Sequence, residues 1–169
     1  MLNIKNLLVK AKKFYDDKKF FEAKDIIKQV IDDVKLDNQT KLRLYVLLSD
    51  ICYKINNFND AELYLLKYYK EEGNNSEILN SLGNIYEKKR DFKNSEKFYL
   101  KSIQENKNNE IALSNLAILY HNLGREKDAK KFYNKVLSIN SNNIGALYNL
   151  SKIDKSIINE KKITLLKNL

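Results

Sequence analysis

Leu79-Asn80-Ser81-Leu82-Gly83-Asn84-Ile85-Tyr86 and Leu113-Ser114-Asn115-Leu116-Ala117-Ile118-Leu119-Tyr120 are the two stretches whose reading decides the fold. They stand 34 residues apart and share one pattern: Leu, two spaces, Leu, a small residue, two spaces, Tyr. Apolar positions spaced three and four apart mark one face of an α-helix. Downstream of each stretch a short pattern ends on a small residue. Phe21-Glu22-Ala23, Asn59-Asp60-Ala61, Lys93-Asn94-Ser95 and Lys127-Asp128-Ala129 are separated by 38, 34 and 34 residues. Upstream, Ser49, Gly83, Ala117 and Ser151 recur at intervals of 34. The chain is therefore read as a repeated helical pair. Four extra residues between the first two copies are expected around Asp37-Asn38-Gln39-Thr40, as a longer loop.

Composition agrees with helix from end to end. The 169 residues contain no Pro and only 4 Gly, and 43% are hydrophobic against 31% charged. The net charge of +9 raises the question of an acidic partner. The excess is almost wholly Lys, with Arg only at Arg43, Arg90 and Arg125. Readers of nucleic acid favour the bidentate fork of Arg, so nucleic acid is disfavoured as a partner. A single cysteine, Cys52, excludes an internal disulfide and fits a reducing compartment. Lysines interrupt the apolar residues of Met1–Lys10 before a signal-peptide core forms. No apolar run approaches the roughly 20 residues of a membrane span. A cytoplasmic location is the expectation.

Turn chemistry supports the register. Asn56 and Gly124 fall between the two helices of their repeats, where a left-handed residue ends the first helix. Asn-rich connections at Asn74-Asn75-Ser76-Glu77, Asn106–Glu110 and Asn140–Asn143 offer N-caps for the next first helix.

The period and the pattern together resemble the tetratricopeptide-repeat family. The third repeat matches with Leu79, Leu82, Gly83, Tyr86, Ser95 and Tyr99, and the fourth with Leu113, Leu116, Ala117, Tyr120, Ala129 and Tyr133. The second is looser (Tyr45, Leu48, Ser49, Cys52, Ala61, Leu65), and the first places Lys10 where Leu is expected. A fifth first helix has Leu147, Leu150 and Ser151 but ends on Asp154 instead of Tyr. The resemblance implies an all-α, right-handed α-solenoid of antiparallel helix pairs. Repeats are assigned at 4–37, 42–75, 76–109 and 110–143, with a partial repeat and capping helix over 144–169, forming a single array. Small residues are expected where two helices cross, and aromatic residues between repeats, where each buried ring contributes about 2–3 kcal/mol.

The family lines a concave groove with its first helices and binds other proteins there. Its groove positions, carried onto this chain, give Asn80, Asn84, Ser114, Asn115, Ile118, His121, Asn122, Tyr148, Asn149 and Lys152 as the peptide-binding surface, with the second repeat adding residues such as Arg43, Val46 and Asp50. Asn115 and Asn149 stand 34 apart in Asn-Leu-small triplets. That spacing is similar to the asparagine ladder of the O-linked N-acetylglucosamine transferase repeat region, where amides grip a peptide backbone. The carboxylate clamp of co-chaperones is not matched. A clamp starting at repeat two would need its Lys and Asn at Val46 and Asp50, and one starting at repeat three would meet Asn80 and Asn84.

No catalytic constellation or metal-ligand pair is apparent, since there is one His and no Gly-rich phosphate loop. His121 is read as a contact residue and Cys52 as core. The implied role is a protein-interaction scaffold with no cofactor, taking an extended peptide or helix. The alternative is the substrate-recognition segment of a transferase whose catalytic domain lies elsewhere. A homodimer through the apolar C-terminal helix is a further expectation.

Overall fold

The structure is a computed structural model that describes residues 4–33 and 36–154. Among these residues every regular element is an α-helix. The helices fall into two compact units that divide after Asn74.

The first unit holds α1 (Ile4–Asp16), α2 (Phe20–Asp33), α3 (Asn38–Lys54) and α4 (Phe58–Glu72), each packed on the next. Its core closes on small residues. Ala11, Ala23, Ser49 and Ala61 are all buried, and the Ser49 hydroxyl donates to the Ala61 carbonyl at 2.8 Å. Two helices can approach so closely only where side chains stop at one or two heavy atoms. Ile27, Leu48, Ile51, Cys52 and Leu65 are buried in the same unit. Cys52 is fully buried, and burial pushes its thiol up to about 11, so the reactive thiolate is suppressed. Lys10 leaves α1 with a weak apolar face: Ala11 is that helix's one buried residue, and the Lys10 ammonium lies 5.7 Å from the Phe14 ring centroid.

The four extra residues do not form the expected loop. α3 begins at Asn38 and runs 17 residues, against 13 for the first helices of repeats three and four. Asp37 is its N-cap, with its carboxylate accepting from the Thr40 amide at 2.8 Å. The insertion became an additional helical turn because Asp37 and Thr40 already hold N-cap and N3 spacing.

The second unit holds α5 (Ser76–Lys88), α6 (Phe92–Glu105), α7 (Glu110–Asn122), α8 (Glu126–Ile139) and α9 (Ile144–Ile153). Successive helices pack together, and the first helices α5 and α7 also meet. Tyr99, Leu116, Ala117, Tyr133 and Leu150 belong to one buried cluster. The Tyr99 ring lies directly on Gly83: a Cβ built there would stand 2.4 Å from two ring carbons. Gly83 is thus required by close approach and not by its backbone conformation.

All four turns inside repeats are built alike. Lys18, Asn56, Arg90 and Gly124 have φ of 60°, 59°, 61° and 72°. The next residue's amide reaches back five positions, as in Asp91 to Tyr86 and Arg125 to Tyr120, which is a Schellman ending. Asn56 and Gly124 suit this conformation; Lys18 and Arg90 adopt it at a cost of about 1 kcal/mol each.

Two of the three capping asparagines of the second unit do two jobs. Asn75, Asn109 and Asn143 accept from the amides of Ile78, Ala112 and Ala146 at 2.9–3.1 Å. The NH2 groups of Asn109 and Asn143 then donate backwards, to Ser76 Oγ at 2.8 Å and Glu110 Oε2 at 3.2 Å. Each thereby ties its own helix start to the start of the preceding first helix. Asp154, where the pattern expects Tyr, ends α9 and pairs with Lys130. One repeat earlier the matching positions are Tyr120 and Glu96, joined by a 2.8 Å hydrogen bond. The expected capping helix over 156–169 lies outside the described residues.

Candidate functional site

The groove positions assigned to the C-terminal repeats lie on α5, α7 and α9, all within the second unit. Asn80 is only 8% exposed, while Asn84, Ser114, Asn115, Ile118, His121 and Asn149 are half-buried. Asn122, Tyr148 and Lys152 are exposed, with the Lys152 ammonium 4.2 Å from the Tyr148 ring centroid. Ile118 packs its inner side against the buried cluster.

Three of these residues form one amide cluster. The Asn115 NH2 donates to Asn80 Oδ1 and to Asn84 Oδ1, both at 3.0 Å. Tyr99 joins from below, its hydroxyl shared between Asn84 Oδ1 at 2.7 Å and Glu87 Oε2 at 2.8 Å. Two acceptors and one NH2 of the three amides are consumed in this way. The NH2 groups of Asn80 and Asn84 and the oxygen of Asn115 bond to no other side chain or backbone group among the described residues. The cluster's remaining hydrogen-bonding capacity, two donors and one acceptor, matches the C=O and N–H of a peptide unit. Asn149 bonds to none of the three. From sequence Tyr99 is a core aromatic of the pattern and Glu87 a groove position of the third repeat, but their hydrogen bond to one another is not visible there. Their signal is the 12-residue step from Glu87 to Tyr99, which places a hydroxyl of the second helix under a carboxylate of the first.

One repeat on, the same construction is broken. Ile118 and His121 stand at the positions of Asn84 and Glu87, and Tyr133 stands at that of Tyr99. Tyr133 is buried, its hydroxyl has no hydrogen-bond partner among the described residues, and burial pushes it up to about 12. Tyr120, by contrast, is satisfied by Glu96; burial and then that hydrogen bond raise its pKa. Arg125 completes this second network. Its guanidinium stacks 4.1 Å from the Tyr120 centroid and contacts Glu96 and Asp128 at 2.9 Å and 2.8 Å.

Beside the amide cluster, a cavity of about 870 Å³ opens between the N-terminal ends of α5 and α7. Asn75, Ser76, Glu77, Asn80 and Ser81 line it from α5, and Glu110 and Ile111 from α7. On the other side of the Asn106–Asn109 connection, Leu100, Ile103 and Ile139 with Lys107 and Lys135 line a cavity of about 480 Å³. Among the described residues no group of three His, Cys, Asp or Glu side chains could hold a metal ion. No helix among them is long and apolar enough to cross a membrane.

Residues 76–109 and 111–143 each match a family model described as tetratricopeptide repeat. No curated protein matches the chain. Among solved structures, MamA protein is similar with a TM-score of 0.77 at 18% identity, over 97% of this chain and 88% of that one. The first TPR of Spaghetti (RPAP3), solved bound to the HSP90 peptide SRMEEVD, gives 0.65 at 21% identity over 75% and 99%. YrrB, described as a TPR protein with an unusual peptide-binding site, gives 0.68 at 14% identity over 95% and 81%. At these identities the likeness establishes the fold, an all-α helical repeat.

Proposed function

The chain belongs to the tetratricopeptide-repeat family, and from that premise we propose that it is a protein-interaction scaffold that binds an extended peptide along α5, α7 and α9. The amide cluster of Asn80, Asn84 and Asn115 carries this reading. Its members are held by one another and by Tyr99, so a ligand meets amides already fixed in place, without the ordering cost of free side chains. The peptide's carbonyl and N–H would replace water at the open edge, each contact contributing about 1 kcal/mol. Asn149 and Tyr148 extend the surface by one helix, and Ile118 and His121 supply an apolar contact and a contact able to donate or accept between them. The peptide bound to the first TPR of Spaghetti and the peptide-binding site described for YrrB support a peptide as the class of ligand.

A displayed library of random nonapeptides, panned on the full chain, tests this. Selected peptides are expected to bind Asn149→Ala about fivefold more weakly and to bind Lys131→Ala, on α8, unchanged. Equal binding to both variants would remove the groove from the reading. Asn115→Ala should lose binding further, with its melting curve recorded to separate lost contacts from lost stability.

A further inference from the structure

We infer that the cavity between the N-terminal ends of α5 and α7 receives a Lys or Arg side chain of the bound peptide, with Glu77 as its counter-charge. This inference rests on the peptide-binding reading above. The chain as a whole is strongly basic, with 31 Lys and Arg against 22 Asp and Glu. The cavity inverts that balance: Glu77 and Glu110 line it and, among the described residues, no basic one does. Lys107, in the adjoining connection, lines the other cavity beside Lys135.

A pair of helix N-termini would ordinarily attract an anion. Here that capacity is partly taken. Asn75 accepts from the amides of Glu77 and Ile78, and Asn109 from that of Ala112. Glu77 and Glu110 add negative charge in the first turns. Glu110 Oε2 already accepts from Asn140 and Asn143, so it sets the local potential and is held in place. Glu77 is exposed and has no ion-pair partner among the described residues.

An independent observation points to a ligand in the same place. Asn80 lines the cavity and is more than nine-tenths buried; its oxygen is turned to Asn115, and its NH2 has no protein acceptor. That group is open to the solvent of the cavity and free to donate to a carbonyl from outside the chain. Ile111, 66% exposed at the rim, offers an apolar surface for the methylene stem of a long basic side chain. A backbone carbonyl on Asn80 and a cation on Glu77 are one turn apart on α5, within reach of a single residue of an extended peptide.

The test uses three pools of biotinylated nonapeptides, random except for a central Arg, Gln or Glu, against the full chain at 0.15 M salt, roughly an 8 Å screening length. The Arg pool is expected to bind about threefold to fivefold more tightly than the Gln pool, and the Glu pool most weakly of all. Glu77→Gln should erase the Arg preference, and Glu77→Lys should reverse it in favour of the Glu pool. Glu77 is a surface residue, and melting curves would verify that both variants fold. Equal binding of the Arg and Gln pools, or an Arg preference that survives Glu77→Lys, overturns the inference while leaving peptide binding intact. Failure of all three pools to bind overturns both.

Discussion

Repeats three and four match the same family pattern at every core position, yet they differ in how they treat the tyrosine of the second helix. Tyr99 lies on a bare glycine and shares its hydroxyl between Asn84 and Glu87. For Tyr133 the corresponding positions hold Ala117, Ile118 and His121, and its hydroxyl is buried without a partner among the described residues. The pattern therefore specifies volume and leaves polar satisfaction to the groove residues. Where the groove carries amide and carboxylate, the tyrosine anchors them from beneath. Where it carries Ile and His, the hydroxyl is stranded at a cost of about 1–3 kcal/mol.

The largest test of this contrast is Gly83→Ala. The added methyl overlaps the Tyr99 ring, and the expected loss is about 2–4 kcal/mol in a urea titration. Ala117→Gly, the reverse change one repeat on, should cost only about 1 kcal/mol. Next comes the hydroxyl itself: Tyr99→Phe should lose about 1–2 kcal/mol, whereas Tyr133→Phe should be neutral or gain about 1 kcal/mol. Equal losses at the two positions would mean that Tyr133 has found a partner in solution. His121→Glu restores the carboxylate of repeat three and should gain about 1 kcal/mol. In a double-mutant cycle that gain should vanish when Tyr133 is already Phe. The smallest effect concerns the turns: Arg90→Gly, copying Gly124, should stabilise by about 0.5–1 kcal/mol in the same titration.

The helical pairs were legible because small residues and aromatics recur at 34, and the caps because Asn75, Asn109 and Asn143 do likewise. Turn geometry was only half legible. Asn56 and Gly124 announce a left-handed residue by type; Lys18 and Arg90 are forced into it by the Schellman bonds around them. The helical start at Asn38 was hidden by the expectation that inserted residues loop out, although Asp37 and Thr40 carry the cap spacing. In the groove, amide enrichment was visible but the bonding was not. Asn115 meets Asn80 and Asn84, at separations of 35 and 31, and not a partner at 34. Neighbours across two packed helices are set by how the helices cross, which a repeat period does not encode. The acidic cavity was hidden for a similar reason: Glu77 and Glu110 occupy successive sequence positions of the repeat and become one lining only when α5 and α7 meet.

The backward ties of Asn109 and Asn143 have a kinetic meaning. A helix of 10–13 residues is marginal alone, and its first turn is the costly step. Each of these asparagines caps that first turn with one atom of its amide and holds the preceding repeat with the other. Nucleation of α7 is thus easier once α5 is in place, and that of α9 once α7 is. Within residues 75–154, order should spread by nearest-neighbour steps, as in a one-dimensional lattice. Amide hydrogen exchange would then show protection falling towards α9, with Asn143→Ala releasing α9 before any other helix of the unit.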